Sequence, residues 1–379
     1  MKITHVTLHR VRLPLIHSFQ TSSHRKNHLE HILVELTGDD GVAGWGEIAC
    51  PSDPFYAPDT VETSWLIATR YLVPALLDEE IAHPREVPAL FRRVRGHRFA
   101  VAGFDAAVWA LWARSRGIPL AQALGGTRAT VTAGVSLGIE PTIDDLLEQV
   151  SRQVEAGYRR VKLKIAPGWD REPVAAVRAA FPELTLQVDA NGAYLDEPAH
   201  HEALRGLDRY GLAMIEQPFA PRALLASAAL QAATDTAVCL DESIDTLDDL
   251  RTAIALKAGR ILNIKASRMG GLTPAVAAHD VARDAGWPVW CGGMHEFGVG
   301  RLANVALSSL PGFTLPSDVS GSDKYYARDL VVPPVSADAG VVAVPAGPGL
   351  GARVDEEFVA GCRTEVFTSS NPAAVAAAG

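Results

Sequence analysis

Five ionisable residues stand at the ends of strand-like apolar runs, and neighbouring ones are separated by 24 to 27 residues. They are Lys164, Asp189, Glu216, Asp241 and Lys265. Each interval can hold one strand, one helix and two short loops, so the five residues occupy equivalent positions in successive strand–helix units. Because the carboxyl ends of parallel barrel strands converge where barrel active sites lie, we predict that these side chains form one site.

The three carboxylates allow two interpretations. A carboxylate that follows a strand can cap the next helix, and for Asp189, Glu216 or Asp241 taken singly this interpretation stays open. Three carboxylates in phase, flanked by two lysines, favour a shared site, although they would repel one another without a cation among them. Because the ligands are all oxygens and no histidine is in phase, the set favours Mg²⁺ or Mn²⁺ over zinc.

The lysines suggest acid–base chemistry on two faces of a substrate. Lys162 and Lys164 are two residues apart on one predicted strand and share a face, whereas Lys265 belongs to a unit four strands further round. We expect partial burial and a neighbouring ammonium group to lower the pKa of a lysine towards the range of a general base. Lys162 is either a salt-bridge partner of a carboxylate or a catalytic group. Opposed bases and a divalent cation suit removal of the proton alpha to a carboxylate, since the enediolate that forms must be neutralised.

The elements that would position this site follow from hydrophobic patterning. Eight short apolar runs alternate with amphipathic stretches between Val131 and Asp318, which predicts an α/β fold with a closed parallel (β/α) barrel. The predicted helices within it span residues 143–157, 172–180, 246–257 and 275–285.

The first part of the chain has a different pattern. Residues 29–36 and 42–48 read as two strands joined by a turn, Gly-Asp-Asp-Gly, and helical patterns cover residues 59–77 and 99–114. The chain becomes rich in proline and glycine from Leu330 onwards. We therefore predict three parts: an α+β capping domain (1–125), the barrel (126–329) and a segment that packs back on the cap (330–379).

Composition excludes several classes of function. The net charge is −9 and there is no basic block, which argues against a nucleic-acid partner. The four cysteines lack the paired spacing of a disulfide framework or a zinc ribbon. No secretion signal and no run of about 20 apolar residues is present, so we expect a cytoplasmic protein that does not enter a membrane. We also expect a homo-oligomer.

The strand-end motifs KLK, DAN, EQP, DES and NIK, in this order and spacing, resemble the muconate-lactonizing subgroup of the enolase superfamily. Longer stretches, among them RVKLKIAPGWD, NIKASRMGG and VWCGGMHEFGVGRLANVALSSLP, are similar to its o-succinylbenzoate synthase / N-acylamino acid (N-succinylamino acid) racemase branch. The resemblance covers nearly the whole chain, including GWGE and AGFDAAVWALWA near its start. It implies a TIM-like barrel of the enolase type, with cap loops near residues 17–28 and 49–56 that close over the substrate.

The resemblance also implies a role for each residue that matches a motif. The implied metal ligands, for Mg²⁺ or Mn²⁺, are Asp189, Glu216 and Asp241. The implied acid/base residues are Lys164 and Lys265. The implied supporting residues are Lys162, Asn191 and Glu242.

The substrate implied by the resemblance is a small-molecule carboxylate. The reactions are dehydration to o-succinylbenzoate, a step of menaquinone biosynthesis, and 1,1-proton transfer on an N-succinylamino acid, or both. A dipeptide epimerase is a second candidate, weakened because residues 316–320 read PSDVS in place of Asp-x-Asp. A muconate cycloisomerase is a weaker candidate, and a non-catalytic barrel retained for binding is a candidate from a different class.

Specificity is expected to depend on positions where the chain departs from the family pattern. These are the loop at residues 21–28, TSSHRKNH, and the residues after GG in strand seven. The candidates for substrate contact are Ser22, His24, Met294, His295, Glu296, Ser317 and Asp318. His295 stands where the mandelate racemase subgroup has a base, but Lys265 replaces the aspartate that would support it, so substrate contact is favoured over proton abstraction for His295.

Overall fold

The alternating pattern of the first 50 residues forms an antiparallel sheet. The computed structural model describes residues 1–20, 25–77 and 79–370. Strands β1 (Ile3–Gln20), β2 (Arg25–Gly38) and β3 (Ala43–Ile48) are neighbours in chain order. The predicted turn joins β2 to β3, and Gly41 there has a φ of 76°, a left-handed conformation that glycine adopts without strain.

The predicted helix at residues 59–77 is present with an irregular middle turn. Thr60 caps it, and a π-helical turn at Ala68–Leu72 separates its two α-helical parts. Pro74, the second residue of the later part, has no N–H to donate to the preceding turn, which accounts for the irregularity. The α-helices of the first part of the chain are α1 (Val61–Ile67), α2 (Val73–Leu76), α3 (Val87–Leu90), α4 (Arg98–Ser115) and α5 (Leu120–Leu124).

Helix α4 lies directly against β3, and two glycines make this possible. A Cβ atom at Gly46 would lie 2.1 Å from the carbonyl oxygen of Gly103. The glycines of GWGE and AGFD therefore allow the strand and the helix to approach more closely than any side chain permits.

Seven parallel strands form the curled sheet of the barrel, and neighbours in the chain are neighbours in the sheet. They are β5 (Val135–Leu137), β6 (Arg160–Lys164), β7 (Thr185–Asp189), β8 (Ile215–Glu216), β9 (Val238–Leu240), β10 (Ile261–Ile264) and β11 (Val289–Cys291). A short strand β4 (Thr130–Thr132) precedes them.

The eighth predicted run closes the barrel without forming a regular strand. The N–H of Asp318 donates to the carbonyl of Cys291 (2.7 Å), and that of Ser317 donates to the carbonyl of Thr132 (3.0 Å). The segment thus bonds to β11 at one edge of the sheet and to β4, directly before the edge strand β5, on the other side. Pro316 in this run has no N–H to give to a ladder, which explains why the pairing is irregular.

Helices connect the barrel strands as the sequence predicts, with bounds that shift by a few residues. They are α6 (Ile143–Glu155), α7 (Arg171–Ala180), α8 (Pro198–Arg205), α9 (Leu224–Ala233), α10 (Leu247–Leu256), α11 (Ala266–Met269), α12 (Leu272–Asp284) and α13 (Gly298–Ser308). None of the helices in the described part of the chain is both long and apolar enough to cross a membrane.

The last part of the chain returns to the cap sheet. Its elements are β12 (Val331–Val332), β13 (Val341–Ala343), β14 (Arg353–Val354), α14 (Glu356–Cys362) and β15 (Arg363–Ser370). Strand β13 pairs with β4, and β15 pairs antiparallel with β1, where Phe367 lies opposite Leu8. In the chain, the barrel therefore lies between β3 and β15, the two edge strands of the cap sheet.

Candidate active site

The five strand-end residues converge at one end of the barrel. Lys164, Asp189 and Glu216 end β6, β7 and β8, while Asp241 and Lys265 directly follow β9 and β10. Since these strands are neighbours in the sheet, the three carboxylates lie between the two lysines. Lys164 is partly exposed, and the remaining four residues are buried.

None of the three carboxylates caps the helix that follows it. The N-cap positions of α8, α9 and α10 are occupied by Glu197, Ala223 and Thr246. The interpretation of these carboxylates as helix caps therefore does not apply in this structure.

Lys164 lies against the first carboxylate. Its Nζ atom is 2.5 Å from Oδ2 of Asp189 and donates to Oδ1 of Asn191 at 2.6 Å. Asn191, at a φ of 45°, donates in turn to Oε1 of Glu242 at 2.8 Å. Burial would raise the pKa of Asp189, but the Lys164 ammonium outweighs it and the pKa is lowered. Burial raises the pKa of Glu242 to about 7.

Lys162 is placed as a salt-bridge partner of several carboxylates at once. Its Nζ atom is 3.1 Å from Oε2 of Glu216, 3.1 Å from Oδ2 of Asp318 and 3.5 Å from Oδ2 of Asp189. Burial disfavours its charged form, yet these carboxylates raise its pKa above the ordinary value. Burial and the charge of Asp189 raise the pKa of Glu216 to about 8.

Lys265 is held by a carboxylate and a phenol. Its Nζ atom is 2.8 Å from Oδ2 of Asp241 and donates to the hydroxyl of Tyr56 at 2.9 Å. The Arg268 guanidinium also binds the Asp241 carboxylate. Burial disfavours the ammonium form of Lys265, but Asp241 outweighs it and raises the pKa well above the ordinary value. The expectation of a lowered pKa is therefore wrong for Lys265, because the nearest charge is a carboxylate and not another ammonium group.

A cavity of about 280 Å³ opens onto these groups and is lined by both domains. The barrel contributes Lys162, Lys164 and Lys265 to its wall. The cap contributes Pro51, Phe55, Tyr56 and Lys26, and the first three belong to the loop expected to close over the substrate.

The candidates for substrate contact fall into three groups. Met294, His295 and Glu296 line the cavity. Asp318 also lines it, but Lys162 and Arg160 hold its carboxylate, and both cations keep its pKa low despite burial.

The remaining candidates do not reach the cavity or cannot be placed. The hydroxyl of Ser317 accepts the N–H of Cys291 at 3.0 Å, so Ser317 contributes to barrel closure. Ser22 and His24 lie outside the described residues.

Four residues of the site carried no assignment from the sequence. Tyr56 and Arg268 contact Lys265 and Asp241 as described, Asn263 donates to Oε1 of Glu216 at 2.7 Å, and Arg160 binds Asp318 at 2.7 Å. A usable signal existed for two of them. Asn263 is two residues before Lys265 and so shares its face, and Arg268 is one helical turn beyond Lys265.

The donor set suits a hard divalent cation. One oxygen of each of three carboxylates is buried and accepts no aligned hydrogen bond: Oε2 of Glu216, Oδ2 of Asp241 and Oε2 of Glu242. The first two of these oxygens lie within ion-pair distance of lysines. In residues 1–20, 25–77 and 79–370, no three acidic, histidine or cysteine side chains are grouped as a ready-made metal site. The residues fit an oxygen-ligated ion by their chemistry, while in this structure each carboxylate has a lysine ammonium against it.

A barrel with carboxylates on three successive strand ends, set between two lysines, defines an enzyme of the enolase type. Residues 3–125 match the family described as Mandelate racemase / muconate lactonizing enzyme, N-terminal domain, and residues 145–358 match Enolase C-terminal domain-like. The chain belongs to this family of the enolase superfamily, as the sequence motifs indicate.

Individual relatives cover almost the full chain. An o-succinylbenzoate synthase of Geobacillus kaustophilus is 45% identical over 95% of each chain. An N-succinylamino acid racemase of Thermus thermophilus is 42% identical over 95% of this chain and 96% of its own. The crystal structure of an enolase superfamily member from Listeria innocua covers 98% of this chain and 99% of its own, at a TM-score of 0.94 and 34% identity.

Proposed function

We propose that the protein removes the proton alpha to a substrate carboxylate and forms an enediolate. The observation that carries this proposal is the placement of Lys164 and Lys265 on opposite flanks of three carboxylates at the wall of one cavity. The reactions are dehydration to o-succinylbenzoate, racemisation of an N-succinylamino acid, or both. Relatives of both names, at 42 to 45% identity, support this pair of activities.

Each residue has a role in this proposal. In the dehydration Lys164 takes the alpha proton and then returns it to the leaving hydroxyl, while Lys265 stays protonated and stabilises the enediolate through its positive charge. The raised pKa of Lys265 suits that role. In the racemisation each lysine serves one enantiomer.

The proposed ligands of the divalent cation, Mg²⁺ or Mn²⁺, are Asp189, Glu216 and Asp241. When bound, the cation supplies positive charge that neutralises the substrate carboxylate as the enediolate forms. Lys162 neutralises two of these carboxylates, Asp189 and Glu216, from the barrel interior. Asn191 and Glu242 position Lys164 through the hydrogen bonds described above.

A dipeptide epimerase activity is disfavoured by Asp318. Its two oxygens are bound by Arg160 at 2.7 Å and by Lys162 at 3.1 Å, which leaves no negative charge for a substrate amine. A cytoplasmic, homo-oligomeric enzyme and the domain bounds given above remain part of the proposal.

The decisive experiment follows exchange of the alpha hydrogen in D₂O with added Mg²⁺. The substrates are both enantiomers of several N-succinylamino acids, and the cyclohexadiene precursor of o-succinylbenzoate is assayed for dehydration. Lys164→Ala and Lys265→Ala should each abolish racemisation while still exchanging the proton of one enantiomer. Lys164→Ala should also abolish dehydration, whereas Lys265→Arg should retain a little because arginine keeps the charge.

The matched control is Lys257→Asn, since Lys257 is exposed at the end of α10 and its φ of 55° is one that asparagine tolerates. This variant should behave as the unmodified enzyme. Interconversion of enantiomers at an unchanged rate in either alanine variant would rule out the two-base mechanism.

A further inference from the structure

The two ends of the cavity differ in how their charges are balanced. At the inner end every carboxylate of the strand ends lies within 3.1 Å of a lysine ammonium. At the outer end, Lys26 and Arg301 line the cavity, and a third cation, Lys324, lies 5.4 Å from the ring of Tyr325 in the cavity wall. In the described part of the chain, none of the three forms an ion pair with a carboxylate.

Lys26 is the outer cation that the cap supplies. It lies on β2, its side chain is partly buried, and it lines the cavity. Burial lowers its pKa, and the carboxylate that opposes this shift, Asp53, is exposed on the neighbouring loop and makes no ion pair with it. A partly desolvated ammonium without a counter-charge is costly unless a ligand supplies one.

Arg301 and Lys324 add further positive charge, and both donate to backbone carbonyl groups. The Nη atoms of Arg301 donate to the carbonyls of Ser320 (2.8 Å) and Glu296 (3.0 Å), and the residue is 2% exposed. Lys324 donates to the carbonyl of Ser136 at 3.3 Å. These two residues therefore add positive electrostatic potential that their carbonyl partners do not neutralise, and Nε of Arg301 has no hydrogen-bond partner among the described residues.

The surroundings of His295 show where the outer cations lie relative to one another. Its imidazole is packed 5.1 Å from the ring of Tyr325, and the cations of Arg301 and Lys324 lie 4.9 Å and 5.4 Å from the centre of that ring. Burial, followed by the charges of Lys26, Arg301, Lys324 and Lys164, holds the pKa of His295 well below the ordinary value. The three outer cations therefore lie near the His295–Tyr325 pair, and Lys164 of the inner end acts on the same imidazole. Because the imidazole stays neutral, it adds no further positive charge there.

We propose that the outer end of the cavity is an anion subsite that binds a second carboxylate of the substrate, and that Lys26 is the residue that contacts it. Lys26 has free donors and a flexible stem, while Arg301 and Lys324 strengthen the positive potential behind it. The inference rests on the proposed function, since it assigns the distal carboxylate of a succinyl group to a place opposite the reacting carbon. Lys26 thereby becomes a determinant of specificity for dicarboxylic over monocarboxylic substrates.

The test compares N-succinyl and N-acetyl derivatives of one amino acid, which differ in the distal carboxylate. Lys26→Met should raise KM for the N-succinyl substrate about 10- to 100-fold, the range of a hydrogen bond to a charged group, with kcat little changed. KM for the N-acetyl substrate should stay within about 2-fold. Lys26→Arg should restore most of the preference, and Lys257→Asn should have no effect. Equal losses for both substrates, or no loss for either, would overturn the proposal.

A binding measurement separates failure of the subsite from failure of the proposed function. If the unmodified enzyme turns over neither derivative, the proposed function fails, and calorimetric titration of the two derivatives then judges the subsite alone. A preference for the N-succinyl compound that disappears in Lys26→Met supports the subsite. Equal affinities for both compounds in the unmodified enzyme contradict it.

Discussion

Two groups of buried carboxylates, one at the barrel mouth and one in the cap, differ in the groups that they contact. At the barrel mouth Asp189, Glu216 and Asp241 face lysine ammonium groups and a cavity. In the cap, Glu47 of β3 and Asp105 of α4 face backbone N–H groups at the starts of two barrel helices. At the barrel mouth, the charged groups border a cavity and can interact with a substrate or a cation. In the cap, the hydrogen bonds of both carboxylates are made to other parts of the protein.

Glu47 caps a helix that belongs to the other domain. Its two oxygens accept the N–H groups of Phe297 (2.9 Å) and Gly300 (2.8 Å), the N-cap and third residues of α13. These are the two donors that a capping box satisfies from within one helix. His31 of β2 lies 2.7 Å from the same carboxylate. The glutamate of GWGE therefore joins the cap to the loop that carries Met294 to Glu296.

Asp105 makes the equivalent contact with α12. Its Oδ2 accepts the N–H of Thr273 at 2.9 Å, and its Oδ1 accepts the Thr273 hydroxyl at 2.7 Å. Gly271, at the N-cap position of α12, has a φ of 127°, and a Cβ atom there would lie 2.4 Å from Oδ2 of Asp105. Two cap carboxylates thus hold two barrel helices, and the comparison predicts that their loss affects stability more than chemistry.

The largest effect is expected from the barrel carboxylates. Asp241→Asn removes one charge from the proposed cation site and from the partner of Lys265, so kcat should fall by at least about 10²-fold. Treatment of the unmodified enzyme with EDTA should abolish activity, and Mg²⁺ or Mn²⁺ should restore it. The measurement is initial rate against added cation, and full activity of the chelated enzyme would contradict the metal assignment.

A smaller effect, on a different quantity, is expected at Glu47. Glu47→Gln keeps the shape but turns an amide N–H towards one of the two helix donors, which should lower the free energy of unfolding by about 1–3 kcal/mol. The kcat should change by no more than about 3-fold. Urea denaturation and steady-state kinetics measure the two quantities, with Glu183→Gln, at an exposed position, as the control. If Glu47→Gln lost as much kcat as Asp241→Asn, the proposed difference between a structural and a chemical role for the two regions would be wrong.

The smallest effect is a pH dependence of stability at Asp105. Burial raises its pKa to about 7, so the folded state holds a proton that the unfolded state releases near pH 4. The stability from this group is complete below about pH 4 and is lost as pH rises towards 7. In urea denaturation at pH 4.5, 6 and 7.5, Asp105→Asn should therefore gain stability relative to the unmodified protein as pH rises. The exposed control, Asp284→Asn, should show a constant difference, and a constant difference for Asp105→Asn would contradict the prediction.

The sequence predicted the parts of the molecule that repeat. In-phase charges such as Asp189 and Glu216 could be located because each unit contributes one strand, one helix and one strand-end residue. The helix at residues 98–115 followed from the same kind of periodicity. Irregular pairing at Pro316 was not visible, because an apolar run does not reveal which N–H groups a closing segment will use.

Contacts between distant segments were also beyond sequence reasoning. No local pattern places Tyr56 beside Lys265, or Glu47 at the start of α13, since each pair is joined only when the domains meet. The same holds for the pKa of Lys265, whose direction depends on Asp241 being nearer than any ammonium group. The types and order of the residues were enough to predict the kind of chemistry. The contact partners of those residues and the balance of charge around them could be known only from the folded structure.

The pairing of β1 with β15 has a consequence for synthesis of the chain. Leu8 leaves the ribosome early, but its neighbour in the sheet, Phe367, is made only after the whole barrel. At about 5–20 residues per second, one side of β1 therefore waits tens of seconds with its hydrogen-bonding groups unpaired. An open edge of this kind invites pairing with other nascent chains, and Arg10, Arg12 and Pro14 on the same strand are residues that discourage it. Pairing of β15 with β1 therefore covers this open edge and ends the time during which β1 can pair with other chains.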